Sequence, residues 1–452
     1  MMRQSGRLLL ALVLMALAGC GDTAKPLNVS PPNGTGAKQT LSIVWAQWTP
    51  ADVLREMAEE WGKANNTEIK MSLFPWSIYQ KEMWQEFSSG GTKYDIVIGD
   101  SQWIGKCATE GHYLDLSDWL TKEVPNIEEI ESAALKAYCE YPLGSGRFFA
   151  APCEIDGCGF AYRKDLFEDP KEREAYKAKY NRELDVPKTW SELKDIAEFF
   201  HRPDKSMYGA ALFTDSGQYD AITMGFMQVM WSWGGKFCDP NFNVEGVLNS
   251  KEGVEALQFY TDLAKFTPPN GGAFYHDQCH AAFTEGKVAM TMSFFALMPP
   301  LLNEKQSKFA KSTGFFAVPA GPKGRYISLG GQGISVMRKS PPEKQELAKN
   351  FIRWFLETSN QKRWGAKPGC FSANRKANED PVVRNAAPFN AAYMESLEFL
   401  RDFYNTPEFG ELLASCQNHW NAAVTGKVSA KEAMDALAKE HTDILKKSGA
   451  LK

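Results

Sequence analysis

The chain has 452 residues, 44% of them hydrophobic, and a formal net charge of −4 at pH 7. That length suffices for two folded domains at roughly 100–200 residues each. There is no basic block, and aromatic residues are not interleaved with Lys/Arg runs, which argues against a nucleic-acid binder.

The first twenty residues, MMRQSGRLLLALVLMALAGC, combine a basic end (Arg3, Arg7), a short apolar run and small residues before a cysteine. This is the pattern of an export signal, and its L-A-G-C ending resembles the bacterial lipobox. On that reading residues 1–20 are a lipoprotein signal peptide ending at Cys20, which is lipidated, becomes the new N-terminus and ties the protein to the outer face of a membrane. Residues 21–39 are rich in Gly, Pro, Thr, Asn and Lys and read as a flexible tether. No later segment has the ~18 continuous apolar residues of a membrane span.

Beyond the tether, strands and helices alternate. Leu41-Ser-Ile-Val-Trp45 is a β-rich run, and Thr49-Pro-Ala-Asp52 carries the residues of a helix start. Leu54, Met57, Ala58 and Trp61 follow at helical spacing. Ile69 to Leu73 reads as a second strand, a helix with Met83 and Phe87 ends near Gly90-Gly91, and Tyr94 to Gly99 is a third strand. This β-α-β-α-β order predicts a parallel sheet with covering helices. Thr189-Trp-Ser-Glu192 is a capping box opening a helix with Leu193, Ile196 and Phe200 on one side. Val254, Leu257 and Tyr260 mark another helix, and Ser340-Pro-Pro-Glu343 is expected to cap one carrying Leu347, Phe351 and Phe355.

Eight cysteines remain after Cys20, an even number that in an oxidising compartment favours disulfides. Neighbours in the chain are expected to pair: Cys107 with Cys139, Cys153 with Cys158, Cys238 with Cys279, and Cys370 with Cys416. Free buried thiols are the competing reading. His276-Asp-Gln-Cys-His280 has zinc-ligand residue types, but no second cluster supports a metal site. Cys153 and Cys158 are spaced too widely for a thioredoxin-like motif.

Several segments carry a family resemblance. Asp95-Ile-Val-Ile-Gly-Asp-Ser-Gln-Trp103 with Gly111-His-Tyr-Leu-Asp-Leu116 resembles the first-lobe signature of extracellular solute-binding proteins of the maltose-binding class. Phe149-Ala-Ala-Pro152 and Phe160-Ala-Tyr-Arg-Lys-Asp-Leu-Phe167 resemble the segment crossing between the lobes. Pro187-Lys-Thr-Trp-Ser-Glu-Leu193, Phe283-Thr-Glu-Gly-Lys-Val-Ala-Met290 and Gly330-Gly-Gln-Gly-Ile334 follow in family order. The resemblance implies an α/β fold of two lobes, the type II periplasmic-binding-protein fold. Each lobe is a mixed, mostly parallel sheet with flanking helices, and a cleft lies between them. Residues 40–151 and 289–335 would form lobe 1; residues 152–288 and 336–452 would form lobe 2. It further implies a monomer that uses no cofactor, catalyses nothing, and delivers solute to the permease of an ATP-binding cassette (ABC) importer.

A sugar or polyol needs aromatic plates for its C–H faces and polar groups for its hydroxyls, since an unpaired buried hydroxyl costs ~1–3 kcal/mol. Gln47 and Trp48 after the first strand, and Asp100, Ser101 and Gln102 after the third, are expected to face the cleft. The resemblance adds Asp156 as a sugar-contacting acid, Trp231 and Trp233 as an aromatic wall, and Phe294 or Phe295 as a stacking ring. Gly331 and Gln332 on the final crossing strand complete the set, Gly331 by letting ligand approach the backbone, with Trp364 as a further candidate. Trp45, Trp103, Trp190 and Trp354 read as core, Asp100 as a possible helix cap, and Glu154 as a partner for a surface lysine. A charged insert at residues 168–185 departs from maltose-binding relatives. Two alternatives stand beside a neutral solute. One keeps the fold but binds a charged solute; the other is a carbohydrate-active enzyme using Asp100 and Asp156.

Overall fold

The computed structural model describes residues 38–451. The expected leader, Cys20 and nearly all of the expected tether lie outside the described residues. The first strands and helices are β1 (Gln39–Ala46), α1 (Thr49–Ala64), β2 (Thr67–Phe74), α2 (Trp76–Ser89), β3 (Ile96–Asp100) and α3 (Ser101–Thr109). β1 lies between β2 and β3 and runs parallel to both, as the alternating pattern predicts. Ile43 to Ala46 are buried without alternation, because helices cover both faces of a parallel sheet. α1 turns Leu54, Met57, Ala58 and Trp61 inward. Its N-cap is Trp48 and not Thr49, and no side chain caps it. Pro50 falls in the first turn, where its missing N–H forfeits no helical bond.

The remaining strands are β4 (Ala151–Arg163), β5 (Tyr208–Ala211), β6 (Val288–Phe294), β7 (Thr313–Ala317), β8 (Ile327–Val336) and β9 (Leu400–Arg401). Among the described residues the sheet runs β2-β1-β3-β8-β4-β6-β5, with β7 paired to β4 and β9 to β8. β4 is the bridge. Its first half pairs antiparallel with β8, and its second half pairs with β6 and β7. β8 runs on to pair with β3, while β5 lies parallel to β6. One half of the sheet is therefore built on β1–β3 and the other on β5–β7, with β4 and β8 passing between them.

Strand pairing departs from the expected division of the chain. Residues 289–335 are expected in the first lobe, yet β6 pairs with β5 and the outer half of β4. Residues 336–452 are expected in the second, yet the helix Pro342–Leu356 packs against β1 and β8. Trp61 of α1 meets Phe351 of that helix edge-on at 5.4 Å. The Thr189–Glu192 capping box forms as predicted. Ser340 does not cap its helix; its hydroxyl donates to Asp95 Oδ1 at 3.1 Å.

The expected disulfides are absent: Cys107, Cys139, Cys153, Cys158, Cys238, Cys279, Cys370 and Cys416 are all free, and all but Cys238 are buried. Geometry explains one pair at once. Cys153 and Cys158 sit on the same strand, where a rise of ~3.3 Å per residue sets them ~16 Å apart. A disulfide needs Cα atoms within ~7 Å. These thiols serve as small apolar core groups, and burial pushes Cys139, Cys153, Cys158 and Cys416 well above the usual thiol range. No helix among the described residues is long and apolar enough to cross a membrane.

Candidate functional site

The ends of β1, β2 and β3 lie along one edge of the first half-sheet, the position where α/β folds bind ligands. Trp48 follows β1, Trp76 follows β2, and Asp100 ends β3 with Ser101 opening α3. The second half faces them with Tyr219, Asp220, Met224, Tyr275, His276, Phe294 and Leu297. Asp156 on β4 and Leu329, Gly330, Gly331 and Gln332 on β8 form the floor. Together they line a cleft of about 570 Å³, open solvent at its mouth included.

Of the residues expected here, Trp48, Asp100, Ser101, Asp156, Phe294, Gly331 and Gln332 line the cleft. The others do not. Gln47 is exposed beside it, its N–H donating to the Phe74 carbonyl. Gln102 is buried one layer behind and donates to Asp220 Oδ2 at 3.3 Å. Trp231 and Trp233 belong to the helix Ala221–Trp233, which is buried almost all round. Trp231 packs near Phe237, and Trp233 lies on Phe259 with ring centroids 4.5 Å apart. Phe295 turns away under Gly159, where an added Cβ would sit 2.2 Å from its ring. Trp364 is core, stacked on Trp45 at 6.4 Å. Trp45, Trp103 and Trp190 are buried as expected.

Gly331 is set against the neighbouring crossing strand. Its φ is +110°, and a Cβ there would lie 2.3 Å from the Glu154 carbonyl oxygen on β4. What comes close is the neighbouring crossing strand. Glu154 itself pairs with no lysine: it is fully buried, and neither carboxylate oxygen has a partner.

The aromatic wall is continuous. Trp48 meets Trp45 at 5.5 Å and Trp76 at 5.4 Å, both edge-on, and Trp76 meets Tyr219 at 5.5 Å. Trp76 was legible in principle, since it follows β2 as Trp48 follows β1. Tyr219, Asp220, Tyr275 and His276 carry no such local signal.

Burial governs the acids. It raises Asp156 to about 7 even though the Gly157 and Ala296 N–H groups donate to its carboxylate at 2.7 and 3.1 Å. Asp220 is likewise raised to about 7 by burial and then by the nearby Asp100, while the Tyr275 hydroxyl donates to it at 2.6 Å. Asp100 is raised by burial and accepts from Ser101 Oγ at 3.1 Å and Tyr219 OH at 3.2 Å. Two buried polar atoms in this lining have no partner: Trp48 Nε1, a donor, and Gln332 Oε1, an acceptor. Buried polar atoms are normally paired, so these two are free for a solute.

The histidine cluster forms no metal centre among the described residues. His276 contacts Asp277 at 3.0 Å, and His280 shares a hydrogen bond with Ser293 Oγ at 2.8 Å.

Two α/β lobes joined by long crossing strands, with a polar and aromatic cleft between them, define a two-lobed solute-binding protein of the type II periplasmic fold. Residues 45–362 match the profile of the bacterial extracellular solute-binding proteins, and the chain belongs to that family. It is 23% identical over 323 residues to the mannitol-binding protein of Pseudomonas aeruginosa, covering 67% of this chain and 71% of that one. Maltose-bound MalE3 of T. maritima superposes with a TM-score of 0.76 at 23% identity, over 90% of this chain and 100% of the other. An ABC transporter solute-binding protein of Agrobacterium radiobacter K84 in complex with ribitol also gives 0.76 at 23% identity, over 90% and 98%.

Proposed function

We propose that this protein captures a neutral sugar or polyol between its lobes and delivers it to the permease of an ABC importer. The observation that carries the reading is the cleft lining. The rings of Trp48, Trp76 and Phe294 accompany carboxyl, amide and hydroxyl groups, with no lysine or arginine among them. Rings suit the C–H faces of a sugar. Asp156 and Asp220 already accept hydrogen bonds from neutral donors, the Gly157 and Ala296 N–H groups and the Tyr275 hydroxyl. The mannitol, maltose and ribitol named for the relatives support the same solute class. Closure of the lobes buries the guest from both sides, so contacts made only in the closed state hold it.

On this reading the protein acts as a monomer outside the cytoplasmic membrane, anchored through lipid on Cys20, and needs no cofactor. Labelling with radioactive palmitate, lost in Cys20→Ala, tests the anchor. A thermal-shift panel of mannitol, ribitol, glucose and maltose against spermidine and glucose 6-phosphate tests the solute. A neutral guest at 100 times its Kd adds about 2.7 kcal/mol of stability. Trp48→Ala should weaken binding roughly 30-fold, about 2 kcal/mol for a lost apolar plate. Stabilisation by spermidine or the phosphate alone would replace this reading with the charged-solute one.

A further inference from the structure

Tyr219, Asp220, Tyr275 and His276 reach the cleft from two loops, one between β5 and the helix Ala221–Trp233, the other leading into the helix His276–Thr284. Tyr219 has φ +33°, a left-handed conformation in which a bulky residue is strained and persists only where its surroundings fix it. The loops are bonded to each other. The Thr214 N–H donates to the Phe274 carbonyl at 2.8 Å, and the Phe274 N–H donates back to the Thr214 hydroxyl oxygen at 3.2 Å. Nearer the cleft, the Tyr275 hydroxyl donates to Asp220.

Both loops rest on one helix, Phe409–Val424, which lies outside the cleft lining. Gln417 and Asn421 stand four positions apart on it and so share a face. Gln417 Nε2 donates to the carbonyls of Gln218 and Tyr219 at 3.3 and 2.9 Å. Asn421 Nδ2 donates to the carbonyls of Thr214 and Gly272 at 2.8 and 2.6 Å, one from each loop. Both side chains are buried, so water is a poor substitute for either. The fit is close: a Cβ on Gly272 would lie 2.4 Å from Thr425 Cγ2 at the end of the same helix.

We infer that Gln417 and Asn421 are positioning residues of the solute site: without touching a guest, they hold the two loops so that Tyr219, Asp220, Tyr275 and His276 face it. The inference rests on the neutral-solute reading and adds the support behind four lining residues. Gln417 acts through Tyr219, whose ring leans on Trp76 at 5.5 Å and whose hydroxyl donates to Asp100 at 3.2 Å. Once the Tyr219 carbonyl is released, the strained backbone relaxes, and ring and hydroxyl leave those partners together. Asn421 acts on both loops at once.

Isothermal titration of the full-length protein in detergent, with whichever of mannitol, ribitol, glucose and maltose binds most tightly, tests it beside thermal melting. Gln417→Met and Asn421→Leu keep the bulk and remove the donor, and each should weaken binding roughly tenfold, about 1.4 kcal/mol. Gln417→Glu, which has no donor when ionised, should act in the same direction and serves if the methionine variant does not fold. Leu445→Ala opens a cavity in the helix Ala430–Ser448, packed on the same helix, and should lower the melting temperature without changing the affinity. In a Tyr219→Ala background Gln417→Met should cost only about twofold, because the residue it positions is gone. Unchanged affinity in the folded Gln417 and Asn421 variants overturns the positioning role. So does an equal loss in Leu445→Ala, or an undiminished one in the Tyr219→Ala background. No heat with any of the four solutes in the unaltered protein overturns the functional reading itself, and this inference with it.

Discussion

Gln102, just after β3, and Asp220, which precedes the helix Ala221–Trp233, meet directly, Nε2 to Oδ2 at 3.3 Å, with Gln102 one layer behind the cleft lining. A contact of this kind holds only while its two segments stay together, so its loss is expected to favour a more open form. Tyr219 and Asp100, one residue nearer the cleft, repeat the arrangement. A guest pays less to close such a protein.

Removing the first tie should open the empty protein. In Gln102→Ala, a hydrogen bond worth about 0.5–1.5 kcal/mol is lost. The radius of gyration of the unliganded protein by small-angle X-ray scattering should rise, and saturating ligand should restore it. An unchanged profile would mean that the tie does not hold the lobes.

Glu154 is an unpaired carboxyl in the core of a crossing strand, and burial, reinforced by Asp156, holds its pKa well above the usual range. Its unfolded value is about 4.3, so from there upward the unfolded chain sheds a proton that the native protein keeps. The native state loses stability as pH rises through that window, until the folded group ionises. Glu154→Gln removes the effect. Its melting temperature should equal or exceed that of the parent at pH 4 and exceed it by a widening margin up to pH 7. A margin that shrinks with pH would refute the assignment.

Gly331→Ala should be costly. The new methyl enters a left-handed backbone site and collides with the Glu154 carbonyl, so one crossing strand must move from the other. Overpacking of this kind costs about 1–3 kcal/mol, and the backbone strain adds to it. Chemical denaturation measures it, and a loss below about 0.5 kcal/mol would show that the strands have slack.

Thiol chemistry separates buried free cysteines from disulfides. Without reductant, the native protein should react with a thiol reagent faster at the partly buried Cys238 than at the other seven, while the unfolded protein exposes all eight. Mapping by mass spectrometry identifies the sites. Recovery of linked peptides from unreduced protein would restore the expected pairing.

Much of the first half-sheet was readable from local pattern. Period and capping residues placed β1, α1, β2, α2 and β3 within a few residues, because burial on a strand or helix face repeats along the chain. Trp48 and Asp100 were readable for a related reason: the ends of parallel strands share one edge, so loops there face a common cleft. The helix Ala221–Trp233 offered no such guide. Being apolar on every side, it does not reveal which ring faces solvent, and Trp231 and Trp233 proved to be packing.

The tertiary structure alone decided the rest of the site. Tyr219 and Asp220 reach Asp100, Gln102 and Trp76 only because β4 and β8 join the two halves of the sheet. Contacts between residues more than a hundred positions apart leave no mark in a local pattern. The cysteines follow the same division. Their number spoke for pairing, but distance and direction decide whether two sulfurs meet, and a single extended strand set Cys153 and Cys158 too far apart. Sequence periodicity determined which elements exist, and the crossing strands determined which of their side chains share a cavity.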